Sequence, residues 1–213
     1  MNWPSASIRR YALSDGSIDP MPLNFPIVLT WLRIAMIPLL VALFYVPHDW
    51  LPTTTRDTIA ALAFIFAALT DWFDGWLARR WNQTSSFGAF LDPVADKLMV
   101  CAALLVLLDL NRVDAVIALI IIGREITISA LREWMAKIGA SGSVAVHWLG
   151  KFKTAAQMIA IPCLLYWQEL YGVSSVWVGQ VLIIVAAVLT IWSMCYYLQR
   201  AAPQIRDRAG RSE

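Results

Sequence analysis

Residues 71–96 read DWFDGWLARRWNQTSSFGAFLDPVAD, which places four aspartates, two glycines and an arginine between long apolar segments. The pattern is Asp-x2-Asp-Gly-x2-Ala-Arg, then eight residues, then Gly-x3-Asp-x3-Asp. Carboxylates at the edge of a lipid bilayer are costly unless something positively charged lies between them. The stretch therefore predicts a membrane-embedded acidic site that holds divalent metal and serves phosphate chemistry.

The rest of the chain has the composition of a membrane protein. Its 213 residues are 59% hydrophobic and 15% charged, with a mean hydropathy of +0.61, so it is more apolar than a soluble domain of this length. Six apolar runs approach the ~20 residues that cross a bilayer. They lie near 25–46, 57–80, 89–109, 113–137, 148–168 and 174–199. The predicted fold is an all-α integral membrane protein with six transmembrane helices.

Domain limits and orientation follow from the polar residues. The membrane domain is predicted at 23–200, between a polar tail at 1–22 and a basic tail at 201–213. Basic residues concentrate in the tails and in alternate turns, whereas the opposite turns offer only Arg56 and Arg112. The positive-inside rule then places both termini in the cytoplasm. With this orientation, the charged positions inside the spans all fall in the cytoplasmic half. We therefore expect one polar cavity open to the cytosol and no comparable cluster of charged residues in the outer half. A net charge of +2 predicts no nucleic-acid partner.

The four aspartates have the spacing of two helix faces. Asp71 and Asp74 are three residues apart and Asp92 and Asp96 are four apart, so each pair lies on one side of its helix. The short turn between the helices makes them antiparallel neighbours, and the four carboxylates converge. Two divalent cations would remove the resulting repulsion. Oxygen ligands without histidine or cysteine favour Mg²⁺ or Mn²⁺, in a two-metal arrangement suited to displacement at phosphorus.

Three neighbouring residues suit a bound nucleotide. Gly75 lies within a helix, where glycine costs ~1 kcal/mol relative to alanine, so a ligand or another backbone is expected to approach it closely. Arg79 suits either a phosphate or nucleotide contact through its planar guanidinium or a cytoplasmic anchor. Ser85 suits either a hydrogen bond to the nucleotide or a helix cap.

The spacing of these residues resembles the signature of the CDP-alcohol phosphatidyltransferases. The matching positions are Asp71, Asp74, Gly75, Ala78, Arg79, Gly88, Asp92 and Asp96. The resemblance implies six transmembrane helices, a homodimer, two divalent metals and a site that faces the cytosol. It also implies that Asp71, Asp74 and Asp92 bind metal, and that Asp96 binds metal and acts as the general base. Gly75 and Arg79 would contact the CDP moiety of CDP-diacylglycerol, and Ser85 matches a position of the same kind.

Basic residues outside the aspartate motif indicate which kind of acceptor alcohol the site would bind. Arg124, Lys151 and Lys153 would hold a phosphorylated alcohol, whereas Arg132 suits either acceptor contact or anchoring. The two lysines are ~200° apart around their helix, so one of them is expected to point away.

Longer segments of the chain resemble one group of members within the family. NFPIVLTWLR, GREITISALREWMA and SVAVHWLGKFKTAAQM resemble bacterial members that use glycerol-3-phosphate as the acceptor. This implies phosphatidylglycerophosphate and CMP as products and a place in the bacterial inner membrane. Thr30 and Arg33 match a segment of the first helix that borders the nucleotide.

Two alternatives remain open from the sequence. The same chemistry would serve another acceptor, such as inositol phosphate or phosphatidylglycerol. In a different class, a cation transporter would use the aspartates as its transport path. A transporter requires polar groups in the outer half as well, and the sequence predicts that half to be apolar.

Overall fold

The structure is a computed structural model that describes residues 25–81, 86–137, 148–170 and 172–209. Within these ranges the chain forms six helices: α1 Phe25–Leu43, α2 Thr53–Trp81, α3 Ser86–Asp109, α4 Ala115–Lys137, α5 Trp148–Tyr166 and α6 Ser175–Ala209. They coincide with the six predicted apolar segments, which confirms the helical class. Two short antiparallel strands, β1 Glu169–Leu170 and β2 Val173–Ser174, join α5 to α6 and were not predicted.

The turn between α3 and α4 is fixed by caps at both ends. Asn111 has a positive φ of 55°, and the N–H of Arg112 donates to the carbonyl of Leu107 over 2.8 Å. This is a Schellman ending, in which asparagine takes the place that glycine usually occupies. The Asp114 carboxylate accepts the N–H of Val116 over 2.8 Å and caps the start of α4. The chain therefore reverses within a few residues, and α3 and α4 run antiparallel.

The helices pack around one apolar core. α5 packs along α6, α1 contacts α2 and α3, α2 contacts α5, and α4 contacts α6. Gly179 allows α5 and α6 to approach closely, because a Cβ there would lie 2.7 Å from Cγ of Leu164 and 3.2 Å from Cβ of Cys163. The core includes Leu40, Phe64, Leu104, Leu107, Ile161, Leu164 and Ile183.

Much of the outer surface is also apolar. Among the large hydrophobic side chains exposed there are Leu39, Leu62, Phe66, Leu69, Leu119, Val188 and Trp192. Contiguous exposed apolar surface of this kind marks contact with a membrane or a partner. Within the described ranges one segment, Ser175–Tyr196 of α6, is long and apolar enough to cross a membrane, and Val28–Leu43 and Phe152–Tyr166 are shorter apolar helices. The prediction of six spans stays a prediction.

A buried charged cluster, formed by Arg56, Asp57 and Arg112, lies at the end of the bundle opposite the aspartates. Asp57 precedes Asp71 by 14 positions, or about 21 Å along α2. Its carboxylate accepts hydrogen bonds from Arg56, over 3.4 Å, and from Arg112. Arg112 also donates to the carbonyls of Leu164 and Leu165, over 3.2 and 2.8 Å.

We predicted no comparable cluster of charged residues in the half of the bundle opposite the aspartates, and this prediction was wrong. The three residues come from apparent turns, but all are buried. Arg112 lies against the C-terminal end of α5, where a cation satisfies otherwise unpaired carbonyls. Two cations and one carboxylate give these three residues a net positive charge.

Candidate active site

The first helix binds one aspartate on each of its two neighbours. Nη1 of Arg33 lies 2.5 Å from Oδ1 of Asp71 on α2, and the Thr30 hydroxyl donates to Oδ1 of Asp92 on α3 over 2.5 Å. Thr30 and Arg33 are three residues apart on one face of α1, and both are buried. Asp71 keeps 40% of its side-chain surface exposed. Four of the predicted site residues therefore meet where α1, α2 and α3 converge.

Asp96 belongs to the same region. It follows Asp92 by one helical turn and lines a small cavity together with Arg33 and Met158. Its carboxylate also interacts electrostatically with Asp71, which is a like charge, and with Arg33. The repulsion between two nearby carboxylates is thus partly relieved by the guanidinium of Arg33.

The donor chemistry of Asp71, Asp92 and Asp96 fits a hard divalent cation, since all the donors are carboxylate oxygens. Among the side chains that the structure describes, no group of three acidic, histidine or cysteine residues has a metal-binding arrangement. Arg33 and Thr30 each contact one of the acids. The Asp74 side chain lies outside the described residues, so the four-aspartate metal site stays a prediction.

A second charged group joins α4 to α5. Glu125 accepts a hydrogen bond from Nη1 of Arg124 over 3.0 Å, and Nζ of Lys153 bonds the same carboxylate oxygen. The side chains of Arg124 and Lys153 are buried, with 8% and 2% of their surface exposed. Nε of Arg124 has no hydrogen-bond partner within the described part of the chain. Two buried cations, one carboxylate and a spare donor form a suitable place for an anion.

A cavity of about 70 Å³ connects the two groups. It is lined by Asp96, Lys97 and Val100 of α3, Glu125 of α4, and Thr154, Gln157 and Met158 of α5. The carboxylate of Asp96 and the residues that hold the α4–α5 cations thus face a common space. A small polar molecule in this cavity would contact both.

The remaining predicted residues divide into two sets. Arg132 is exposed near the end of α4, and its charge acts on Lys153. Asp74, Gly75 and Arg79 belong to α2 and Lys151 to α5, but their side chains lie outside the described residues, as does the whole of Ser85. Their predicted roles stay predictions. Of the two lysines, Lys153 is the one for which the structure gives a direction, toward α4.

Some residues of the cavity wall were not predicted as site residues. Glu125 directly follows Arg124 in an apolar helix, and a second buried charge next to the first is a usable signal. Gln157 and Thr154 are uncharged and therefore stand out less. Gln157 is four residues after Lys153, so it lies on the same face of α5.

Known proteins are similar to most of this chain, including the motif at residues 71–96. The sequence profile of the CDP-alcohol phosphatidyltransferase family matches residues 23–192. A protein of Salmonella choleraesuis is 49% identical over 194 residues, which is 88% of this chain and 100% of that protein. One of Shigella flexneri serotype 5b is 50% identical with the same coverage. One of Pectobacterium atrosepticum is 51% identical over 183 residues, 85% of this chain and 96% of that protein. Each of the three is named CDP-diacylglycerol–glycerol-3-phosphate 3-phosphatidyltransferase.

Proposed function

Because this chain belongs to the CDP-alcohol phosphatidyltransferase family, we propose that it transfers the phosphatidyl group of CDP-diacylglycerol to glycerol-3-phosphate. The products are phosphatidylglycerophosphate and CMP, and the chain is a transferase of phospholipid synthesis. The observation that carries this proposal is the cavity that connects Asp96 with the Arg124–Glu125–Lys153 group. Asp96, a carboxylate able to take a proton, shares the cavity wall with Glu125, which bonds two cations able to hold a phosphate.

The aspartates are the proposed metal ligands. Members of the family generally depend on a divalent metal, and carboxylate oxygens suit Mg²⁺ or Mn²⁺. Asp71, Asp74, Asp92 and Asp96 would hold two such ions. When bound, the ions supply positive charge that neutralises the pyrophosphate of the lipid nucleotide and makes CMP a better leaving group.

Asp96 is the proposed general base. Its carboxylate takes the proton of the acceptor hydroxyl while that oxygen forms a bond to the phosphorus that carries diacylglycerol. The bond from this phosphorus to the CMP oxygen breaks, and CMP leaves with the electron pair. The position of Asp96 on the cavity wall supports this role, because a base must lie within hydrogen-bond reach of the proton it removes.

The CDP moiety is proposed to bind beside the aspartates. Gly75, Arg79 and Ser85 take the roles that the family signature gives them. Thr30 and Arg33 border the nucleotide from α1, and their contacts with Asp92 and Asp71 support this placement. Arg33 would also keep the acidic side chains neutralised before substrate binds.

The acceptor phosphate is proposed to bind between α4 and α5. Arg124 and Lys153 are buried cations, and the unpaired Nε of Arg124 supports an anionic ligand there. Arg132 and Lys151 would add positive charge at the entrance. Glu125 holds the two buried cations together until the phosphate arrives.

We propose that the six helices all cross the bacterial inner membrane, with both termini and the site on the cytoplasmic side. The apolar outer surface and the distribution of basic residues support this orientation. The acyl chains of the substrate then stay in the bilayer while the cytidine remains in water. The protein is further proposed to act as a homodimer, as its resemblance to the family implies.

The direct test uses purified protein in detergent with CDP-diacylglycerol, Mg²⁺ and glycerol-3-phosphate, and it measures CMP release. We expect release that requires all three components and stops with excess chelator. Inositol phosphate and phosphatidylglycerol are tested in parallel as acceptors. Release with either of these but not with glycerol-3-phosphate would overturn the proposed acceptor, and release in excess chelator would overturn the proposed metals.

A further inference from the structure

Gln157 of α5 is a buried polar residue on the wall of the cavity. Only 4% of its surface is exposed, and it lines the cavity that also holds Asp96 and Glu125. Its side-chain amide makes no hydrogen bond to any residue in the described part of the chain. Because Gln157 lines the cavity, its amide is available to donate a hydrogen bond to, and accept one from, a molecule bound there.

The other uncharged polar residue of the cavity wall is Thr154, which already has an interaction of its own. Glu125 is engaged by Arg124 and Lys153. Among the described residues of the wall, Gln157 therefore combines a free donor and a free acceptor in one side chain.

The position of Gln157 says which part of a ligand it would meet. It lies one helical turn, about 6 Å, beyond Lys153 on the same face of α5. Asp96 of α3 lines the same cavity. Gln157 thus shares a cavity with the carboxylate that would accept a proton and lies one helical turn from a cation that would hold a phosphate.

We propose that Gln157 is a specificity-determining residue that hydrogen-bonds the middle hydroxyl of the acceptor; this inference rests on the proposed function. Glycerol-3-phosphate has its phosphate at one end, the attacking hydroxyl at the other and a free hydroxyl on the middle carbon. With the phosphate on Arg124 and Lys153 and the attacking hydroxyl at Asp96, the middle hydroxyl faces the wall that Gln157 provides.

The test compares two acceptors. 3-Hydroxypropyl phosphate has the same chain, phosphate and attacking hydroxyl as glycerol-3-phosphate but lacks the middle hydroxyl. A site built to bond a substrate hydroxyl rejects the analogue without it, so we expect the wild-type kcat/KM to favour glycerol-3-phosphate by about 100-fold or more. Gln157→Leu should lower kcat/KM for glycerol-3-phosphate while leaving that for the analogue nearly unchanged, so that the preference falls below about tenfold.

Two further variants separate recognition from folding. Gln157→Met keeps the length of the side chain without its hydrogen-bonding groups and should lose the preference in the same way. Gln168→Leu is the matched control, since Gln168 lies in the turn after α5 and bonds Thr54 and Thr58 far from the cavity. It should keep the wild-type preference. The KM for CDP-diacylglycerol should be unchanged in both Gln157 variants.

The outcomes are distinct. An equal loss with both acceptors in both Gln157 variants, or a wild-type enzyme that does not distinguish the acceptors, would overturn the role of Gln157. In either case the proposed function survives, because the wild type still releases CMP with glycerol-3-phosphate. Absence of that wild-type activity would instead overturn the proposed function.

Discussion

At the scale of single residues, Arg33 explains how acidic side chains persist in an apolar bundle. It is almost fully buried and bonds Asp71, while its neighbour Thr30 bonds Asp92. Buried charges are tolerated when they are paired and hydrogen-bonded. α1 thus supplies the counter-charge and the donor that hold two partly exposed aspartates in place.

The role of Asp96 gives the first prediction. Asp96→Asn removes the proposed base but keeps the size and much of the polarity of the side chain. A general base usually contributes 10²- to 10⁴-fold, so we expect the rate of CMP release to fall by at least about 100-fold. The protein should remain folded, as judged by its thermal transition in detergent. Asp109→Asn, at the exposed end of the same helix, is the matched control and should stay fully active. More than about a tenth of the wild-type rate in Asp96→Asn would contradict the base assignment.

Arg124 gives a second prediction, in which the two substrates respond differently. A hydrogen bond to a charged group contributes about 1.5–3 kcal/mol, so Arg124→Ala should raise the KM for glycerol-3-phosphate by about 10- to 100-fold. The KM for CDP-diacylglycerol should change little, because Arg124 bonds Glu125 in the α4–α5 group, away from the proposed CDP site beside the aspartates. Arg124→Lys keeps the charge but not the planar fork and should restore only part of the affinity. Equal increases in both KM values would move Arg124 out of the acceptor site.

Sequence reasoning recognised these residues because a charge within an apolar helix is conspicuous. It could place Arg33, Asp71, Asp96 and Arg124 on helices, but it could not pair them. The bond between Lys153 and Glu125 depends on how α4 and α5 approach each other, which no local pattern encodes. Gln157 escaped notice for a different reason, since an uncharged amide in a helix is common on any surface.

At the scale of the helices, the apolar runs predicted all six elements to within a few residues, apart from the C-terminal end of α6. Long apolar segments of this kind leave little ambiguity. The differences arise at the ends, where capping decides. Asn111 and Asp114 fix the α3–α4 turn through their own hydrogen bonds and backbone angles. α6 continues to Ala209, well past its apolar part.

Two glycines, Gly179 and Gly123, allow the packing of α5 against α6 to be tested. Gly179 lies against Leu164 and Cys163, whereas a Cβ at Gly123 of α4 would meet nothing within 4 Å. Gly179→Ala overpacks the α5–α6 contact and should lower the free energy of unfolding by about 1–3 kcal/mol. Gly123→Ala improves helix propensity without a clash and should be neutral or stabilising by up to about 1 kcal/mol. Thermal transitions in the same detergent compare the two. A larger loss in Gly123→Ala than in Gly179→Ala would contradict the described packing of α5 and α6.

At the scale of the whole molecule, the two ends of the bundle use charge differently. At one end, Asp96 and Glu125, which bonds the α4–α5 cations, line a cavity. At the other, Arg112 connects α2, the α3–α4 turn and the end of α5. The sequence placed Arg56 and Arg112 in turns because they lie just outside apolar runs. It could not show that these turns fold inward over α5.

We expect the buried charged cluster of Arg56, Asp57 and Arg112 to stabilise the bundle without taking part in the reaction. Among the described residues, Arg112→Leu leaves Asp57 with the weaker contact to Arg56 and removes a donor from two α5 carbonyls. Removing one partner of a buried pair costs about 3–5 kcal/mol, so the thermal transition should fall clearly. The double variant Arg112→Leu, Asp57→Leu removes the stranded carboxylate and should recover part of that loss. Because the cluster is about 21 Å along α2 from Asp71, the KM values of the folded fraction should match wild type. A double variant less stable than the single one, or a changed acceptor KM at full stability, would show that the buried pair has another role.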